Sequence, residues 1–235
     1  MRILAFESSC DETAVAVVED GRRVLSDAIA SQADMHALYG GVVPEIASRK
    51  HVEAIAALTD KALADAGVTK RDIDAVAVTY APGLIGAVLV GLSFAKSVAY
   101  ALGVPLIPVH HIRGHIAANY LAFPELEPPF LALCMSGGNT LLVDARDYTD
   151  LVLVGATRDD AADFTRAVSD ELVPRAMLAA RMCGRKTMVA AGGVAANTIL
   201  RADLMAACAR EGVKLYLPPL RLCGDNGAMI GAQGY

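Results

Sequence analysis

The chain has 235 residues, of which 54% are hydrophobic, and a formal net charge of −5. This length accommodates one large or two small domains, and the acidic balance argues against strong autonomous binding of nucleic acid, which needs clustered Lys and Arg. The five cysteines are odd in number and none has Cys-x-x-Cys spacing, which argues against a disulfide framework or a structural zinc knuckle.

Short apolar runs separated by polar turns open the chain. They predict three strands of an antiparallel meander, at residues 3–7, 14–18 and 24–30. The first turn, residues 8–13, offers backbone N–H groups and hydroxyls to a phosphate or acyl group, although its Ser and Asp are also simply good turn formers. An amphipathic helix is predicted over about residues 45–66, with Gly67 as its C-cap.

A strand at residues 75–79 leads into a glycine-rich turn and then an apolar helix that ends near residue 102. Such a turn either brings backbone to a ligand or allows close helix packing. The apolar window 82–104 is interrupted by Gly83, Gly86, Gly91 and Lys96, so we interpret it as a buried helix and not a membrane span. With no signal-peptide core after Arg2, we expect a cytoplasmic location and no membrane partner.

Three of the five histidines lie within residues 110–115, directly after a strand-like run at 106–109. In a helix that begins there, His111 and His115 stand at positions i and i+4, on one face and one turn apart. Neutral imidazole is a common ligand of zinc and iron. The spacing therefore predicts a two-histidine metal clamp, and the alternative is a helix start whose histidines only cap or pack.

The second half repeats the plan of the first. Its predicted strands are residues 130–135, 141–145, about 151–154 and 187–191, followed by a helix at 198–211 and a strand at 214–218. The turn at 136–140 corresponds to that at 9–13, and the turn at 191–193 to that at 81–83. This duplication predicts an α/β protein with two lobes, 1–110 and 111–235, that face each other across a cleft.

The last turn, residues 222–228, leads into a helix. Asp225 is either the N-cap of that helix or the carboxylate that completes the metal site of His111 and His115. The sequence alone leaves both readings open.

Taken together, these motifs resemble the TsaD family of tRNA threonylcarbamoyladenosine synthases, also known as glycoprotease-like proteins. The matching segments cover nearly the whole chain in order: residues 7–13, 39–45, 47–49, 82–84, 110–115, 136–138, 191–197 and 225–228. The resemblance implies the duplicated actin, Hsp70 and sugar-kinase-like (ASKHA) fold. It also implies transfer of a threonylcarbamoyl group from threonylcarbamoyl-AMP to the exocyclic amine of the adenosine 3′ of a tRNA anticodon.

The resemblance also implies site residues and partners. His111, His115 and Asp225 would hold one Fe²⁺ or Zn²⁺ per chain, and Asp11 and Glu12 would orient the attacking amine. The segment that would hold the adenylate consists of Cys134, Met135, Ser136, Gly137 and Gly138, together with Asn197. Implied partners are tRNA, a paralogous TsaB-like subunit and a TsaE-like ATPase, with a homodimer as a further possibility. The two apolar helices at about 45–66 and 83–102 are candidates for the dimer face.

The chain departs from the family pattern at two places. Asn139 stands where the family usually has a histidine, so a role that needs imidazole basicity is in doubt. After residues 159–162 the chain passes almost directly to Phe164, where relatives carry a long further segment. Either that segment is deleted from the protein near residues 162–164, or the protein contains it and the numbering runs continuously across its position. We favour the second interpretation, because loss of the segment would destabilise the second lobe.

Three other functions compete with the transferase. A zinc protease needs His-Glu-x-x-His, and here Ile112 follows His111. An ATP-dependent sugar or acetate kinase of the same fold would leave the histidine pair and Asp225 without a task. A non-catalytic scaffold paralogue would lack the histidine pair, although the missing segment keeps an inactive chain possible.

Overall fold

The computed structural model describes residues 1–136, 139–157 and 166–235, which form two compact units. The first unit consists of Met1–Leu121 with Asp225–Tyr235, and the second of Ala122–Gly224. This division differs from the predicted boundary after residue 110. The last residues of the chain, Asp225–Tyr235, join the first unit because they pack on its sheet.

The first unit contains one five-stranded sheet and five helices among its elements. They are β1 (Arg2–Glu7), β2 (Glu12–Glu19), β3 (Arg23–Ser31), α1 (Ala33–Ala37), α2 (Pro44–Ala66), β4 (Ala75–Ala81), α3 (Ile85–Leu102), β5 (Leu106–His110), α4 (His111–Ala122) and, from the end of the chain, α7 (Gly227–Gly234). The sheet order is β3-β2-β1-β4-β5. The first three strands are antiparallel neighbours and the last three are parallel, as the meander followed by strand-helix units predicted.

Alternating side chains of the sheet bury both of its faces, because helices cover each side. Leu4 and Phe6 on β1 pack toward α2 and α3, where Phe6 meets Phe94 edge-on at 5.6 Å between ring centroids. On the opposite face, α7 lies so close that a Cβ on Gly231 would stand 2.6 Å from a Val18 methyl. Only glycine fits at this contact, and it ties the end of the chain to the first unit.

Helix α3 differs from the prediction of a buried helix. Its small residues face inward, with Ala87, Gly91 and Ala95 buried. Two of its large apolar residues point outward, since Ile85 is 89% and Leu89 is 60% exposed. Of the described helices, α3 is the one that is long and apolar enough to cross a membrane by length and composition. Apolar composition did not reveal that one face of the helix is left uncovered in this chain.

The second unit repeats the arrangement of the first sheet. Its elements are β6 (Phe130–Ser136), β7 (Asn139–Ala145), β8 (Leu151–Thr157), α5 (Arg166–Met182), β9 (Thr187–Ala191), α6 (Thr198–Glu211) and β10 (Lys214–Tyr216). The sheet order β10-β9-β6-β7-β8 has the same pattern of antiparallel and parallel neighbours as the first. This common topology confirms the predicted duplication. Helix α5 was not predicted, and the junction near residues 162–164 lies outside the described residues.

Candidate metal centre

The histidine pair lies at the start of α4, which begins directly where β5 ends. His111 and His115 are both buried, and their rings meet edge-on with centroids 4.5 Å apart. The two Nε2 atoms are 3.1 Å apart. The structure therefore brings the predicted pair to one face of a helix with their nitrogens converging on one point.

Asp225 joins this pair and does not cap the last helix. The N-cap of α7 is Asn226, whose side-chain oxygen accepts a hydrogen bond from the Met229 N–H at 2.8 Å. Asp225 Oδ1 is left 3.2 Å from His115 Nε2 and 3.5 Å from His111 Nε2. Ligand atoms of the three residues lie within 4.8 Å of one another. Of the two readings that the sequence left open, the structure supports a place for Asp225 in the cluster.

The orientation of His111 is set by Glu7, a residue that the sequence analysis did not single out. Glu7 Oε2 lies 3.1 Å from His111 Nδ1, and since a carboxylate only accepts, Nδ1 donates the proton. The carboxylate is itself held by the Ser9 N–H and the Thr79 hydroxyl, each at 2.5 Å. The Nε2 lone pair of neutral His111 is thereby turned toward Asp225, as in carboxylate–histidine–metal arrangements.

The pKa directions reflect the close charges in this buried cluster. Burial would lower the pKa of His111, but the charge and hydrogen bond of Glu7, with the charge of Asp225, raise it to about 9. Burial raises the pKa of Asp225, yet the hydrogen bond from His115 and the charge of His111 leave it below its usual value. In the metal-free protein, His111 is therefore protonated on Nε2 as well as on Nδ1 at neutral pH. A metal ion that binds at Nε2 has to displace that second proton.

The donor set fits a single divalent transition metal. Two imidazole nitrogens and one carboxylate oxygen are a common set for Zn²⁺ and Fe²⁺, and three protein ligands leave positions open for a substrate. Of the described residues, His111, His115 and Asp225 are the ones that form such a group. Glu7 provides the outer hydrogen bond that metal-bound histidines usually have.

Asp11 and Glu12 belong to the same unit: Asp11 lies on the turn that follows β1, and Glu12 is the first residue of β2. Burial and the adjacent Asp11 carboxylate raise the pKa of Glu12 to about 7, and Asp225 acts in the same direction. Burial and Asp11 also raise the pKa of the Cys10 thiol to about 12, which makes it a poor nucleophile. The structure thus brings the two predicted carboxylates within electrostatic reach of Asp225, one of the predicted metal ligands.

The residues predicted to bind the adenylate lie in the second unit. Cys134, Met135 and Ser136 form the end of β6; the first two residues are buried, and Ser136 is partly exposed. Gly192, at φ +87°, lies so close to Met135 O that a Cβ would stand 2.2 Å from it. The glycine-rich turn therefore packs directly against the end of β6.

Asn197 has a structural task at that turn. Its side-chain oxygen caps α6 by accepting from the Ile199 and Leu200 N–H groups at 3.0 and 3.1 Å. The amide nitrogen is the part of this side chain with donors to offer a ligand. Gly137, Gly138 and the side chain of Asn139 lie outside the described residues.

Comparison with known proteins identifies the family. A family profile described as TsaD, tRNA N6-adenosine threonylcarbamoyltransferase, matches residues 23–165 and 161–232. A protein of that name from Clostridium perfringens (strain SM101 / Type A) is 40% identical over 310 aligned positions, which cover 99% of this chain and 91% of the relative. The chain belongs to the TsaD family. A TsaD relative of the same name from Moorella thermoacetica is 41% identical with the same coverage.

The structural comparison agrees with the fold that the TsaD resemblance implied. The ROK hexokinase from Thermus thermophilus matches with a TM-score of 0.55 at 16% identity, over 100% of this chain and 97% of that chain. At this identity the likeness shows the fold alone. It confirms the predicted sugar-kinase-like α/β fold.

The alignments also show where this chain is shorter than its TsaD relatives. The 310 aligned positions exceed the 235 residues, so at least 75 positions hold no residue of this chain. The two stretches that match the family profile meet at residues 161–165. The positions that this sequence lacks relative to the TsaD relatives therefore lie at this junction.

Proposed function

We propose that this chain transfers the threonylcarbamoyl group from threonylcarbamoyl-AMP to the exocyclic amine of the adenosine 3′ of a tRNA anticodon. Membership of the TsaD family supports this reaction. The observation that carries it in this chain is the buried convergence of His111, His115 and Asp225, with Glu7 behind His111. A scaffold protein has no need to keep two imidazoles and two carboxylates together in its interior, because burying such charges is costly.

The metal proposed here is one Fe²⁺ or Zn²⁺ per chain, held by His111, His115 and Asp225. When bound, it would act as a Lewis acid toward a carbonyl oxygen of the substrate. Glu7 keeps the Nδ1 proton of His111 in place and its Nε2 lone pair directed at the metal position. Because the donor atoms already converge, little rearrangement is needed for binding.

Asp11 and Glu12 are proposed to act on the attacking amine. As its nitrogen bonds to the carbamoyl carbon, the bond from that carbon to the phosphate oxygen breaks and AMP leaves. The nitrogen then has a proton to lose. A carboxylate with a pKa of about 7, such as Glu12, is matched to accept it at neutral pH, and Asp11 would help orient the amine.

The adenylate is proposed to bind in the second unit, at the end of β6 and the adjacent glycine-rich turn. The contacts would come from the backbone of Cys134, Met135, Gly137 and Gly138, from Ser136 and from the amide nitrogen of Asn197. Backbone N–H groups of glycine-rich turns approach phosphate without a side chain in the way. The missing positions of the alignment fall within the sequence of this unit, so its affinity for the adenylate is where we expect this chain to differ from its relatives.

The proposed partners are tRNA, a paralogous TsaB-like subunit and a TsaE-like ATPase, with a homodimer as the alternative assembly, in the cytoplasm. The acidic net charge suits tRNA binding that is shared with another subunit. The docking surface proposed for the TsaB-like subunit is the outer face of α2 and α3. Val52, Ile85 and Leu89 are 62%, 89% and 60% exposed there, and an apolar groove of about 410 Å³ runs between the helices.

Substitution of Leu89 tests this surface. Leu89→Asp should abolish co-elution with a purified TsaB-like subunit and leave the melting temperature unchanged, because the side chain is exposed in the isolated chain. Leu178→Asp is the matched control, since Leu178 is a half-exposed leucine on a helix of the second unit. Equal loss of co-elution in both variants, or in neither, would contradict the proposed surface.

One observation favours a second function, that of a metal-binding but non-catalytic scaffold in the same complex: the 75 or more missing positions. A transfer assay with tRNA, threonylcarbamoyl-AMP and the TsaB-like and TsaE-like proteins separates the two. Transfer by the wild type, and none by His111→Ala/His115→Ala, supports the enzyme. Metal binding without transfer supports the scaffold.

A further inference from the structure

The turn that contains Asp11 and leads into Glu12, the first residue of β2, is held at three successive backbone carbonyls. The Ser9 carbonyl accepts from the Leu84 N–H at 2.7 Å, and the Asp11 carbonyl accepts from the Gln32 N–H at 3.0 Å. The carbonyl between them, that of Cys10, accepts from a side chain, His51 Nε2, at 3.0 Å. His51 belongs to the middle of α2 and is fully buried.

The contacts of His51 define its tautomer. A carbonyl oxygen only accepts, so Nε2 carries the proton. The other ring nitrogen, Nδ1, lies 2.8 Å from the Thr13 hydroxyl and therefore accepts from it. Burial lowers the pKa of His51, which agrees with a neutral ring that donates at one end and accepts at the other. The imidazole thus bridges the residues before and after the carboxylate pair.

We infer that His51 is a positioning residue, which fixes the turn so that Asp11 and Glu12 remain side by side at the reacting amine. This inference rests on the proposed function of those carboxylates. Two neighbouring carboxylates repel each other, and a turn free to relax would separate them. A buried histidine in a helix interior is costly, and a leucine would fill similar space without the two hydrogen bonds.

Two amide substitutions separate hydrogen bonding from the size of the side chain. In His51→Gln the amide nitrogen reaches about as far as Nε2 and can still donate to the Cys10 carbonyl. In His51→Asn the shorter amide cannot reach it, although the side chain stays polar. Thr59→Ala is the matched control on α2, because the Thr59 hydroxyl is buried and bonds only to Ile55 O at 2.7 Å in the same helix.

For His51→Asn we expect kcat of threonylcarbamoyl transfer to fall by about 10- to 100-fold, the scale expected for misplaced reacting groups. The KM for tRNA and the metal content should stay within twofold of the wild type. His51→Gln should restore most of kcat, and Thr59→Ala should leave it unchanged. Equal kcat in the Asn and Gln variants, or a loss in Thr59→Ala as large as in His51→Asn, would overturn the inference.

Amide hydrogen exchange of residues 10–13, read by mass spectrometry, does not depend on activity. Exchange should be faster in His51→Asn than in the wild type and His51→Gln. If the wild type fails to transfer, the proposed function fails, and the exchange rates still decide whether His51 holds the turn. Indistinguishable exchange in the three proteins would overturn that role.

Discussion

Glu12→Gln should stabilise the metal-free protein at alkaline pH. The Glu12 pKa is raised from 4.5 to about 7, so the folded state binds this proton more tightly than the unfolded state does. Below about pH 4.5, Glu12 is protonated in both states and does not affect the free energy of unfolding. Above about pH 7 it is ionised in both states, and the folded state is destabilised by the full amount. Converted directly, the shift would amount to about 3 kcal/mol, and screening at the exposed part of the side chain reduces this to about 1–2 kcal/mol.

The assay is urea unfolding of wild type and Glu12→Gln at pH 4.5 and pH 8 in the presence of a chelator. Gln keeps the oxygen that accepts from the Ser31 hydroxyl at 3.0 Å, so that contact is retained. We expect little difference at the lower pH and a variant that is more stable by about 1–2 kcal/mol at the higher. Glu53→Gln, on the exposed face of α2, is the control for the substitution itself and should not be more stable than the wild type at pH 8. A variant no more stable than the wild type at pH 8 would refute the reasoning.

Two further substitutions test the surroundings of the proposed metal ligands. Glu7→Gln should lower metal affinity by about 10- to 100-fold in a chelator competition, because the amide is a weaker acceptor for His111 Nδ1; unchanged affinity would remove Glu7 from the site. Gly227→Ala should destabilise the protein by about 1–3 kcal/mol in calorimetry, since its Cβ would stand 2.7 Å from Ala16 N. Gly193→Ala, with open space around the added Cβ, is the control, and equal melting temperatures in the two variants would contradict the packing of α7.

Features that depend on neighbouring residues in the chain were predictable from the sequence. The His111–His115 geometry is of this kind, because i and i+4 positions share a helix face wherever the helix forms. Glu7 is not, since its partner His111 is 104 residues away and nothing local distinguishes it from the end of a strand. The same holds for α7, whose return to the first sheet moved Asp225 out of the lobe predicted for it.

Hydrophobic composition was a poor guide to which face of a helix is buried. Helix α3 was predicted to be buried from its apolar sequence, yet Ile85 and Leu89 point outward. The sequence of a helix shows which faces are apolar, but not whether the same chain covers them. Asp225 presented a similar ambiguity, and it was resolved only because the neighbouring Asn226 takes the cap of α7.

Elemental analysis of the purified protein tests the central claim most directly. Wild type, Asp225→Asn and the double variant His111→Ala/His115→Ala should be measured side by side. We expect about one iron or zinc per chain in the wild type, less in Asp225→Asn and none in the double variant. A wild type without metal, or a double variant that keeps it, would contradict the assignment of His111, His115 and Asp225 as a metal centre.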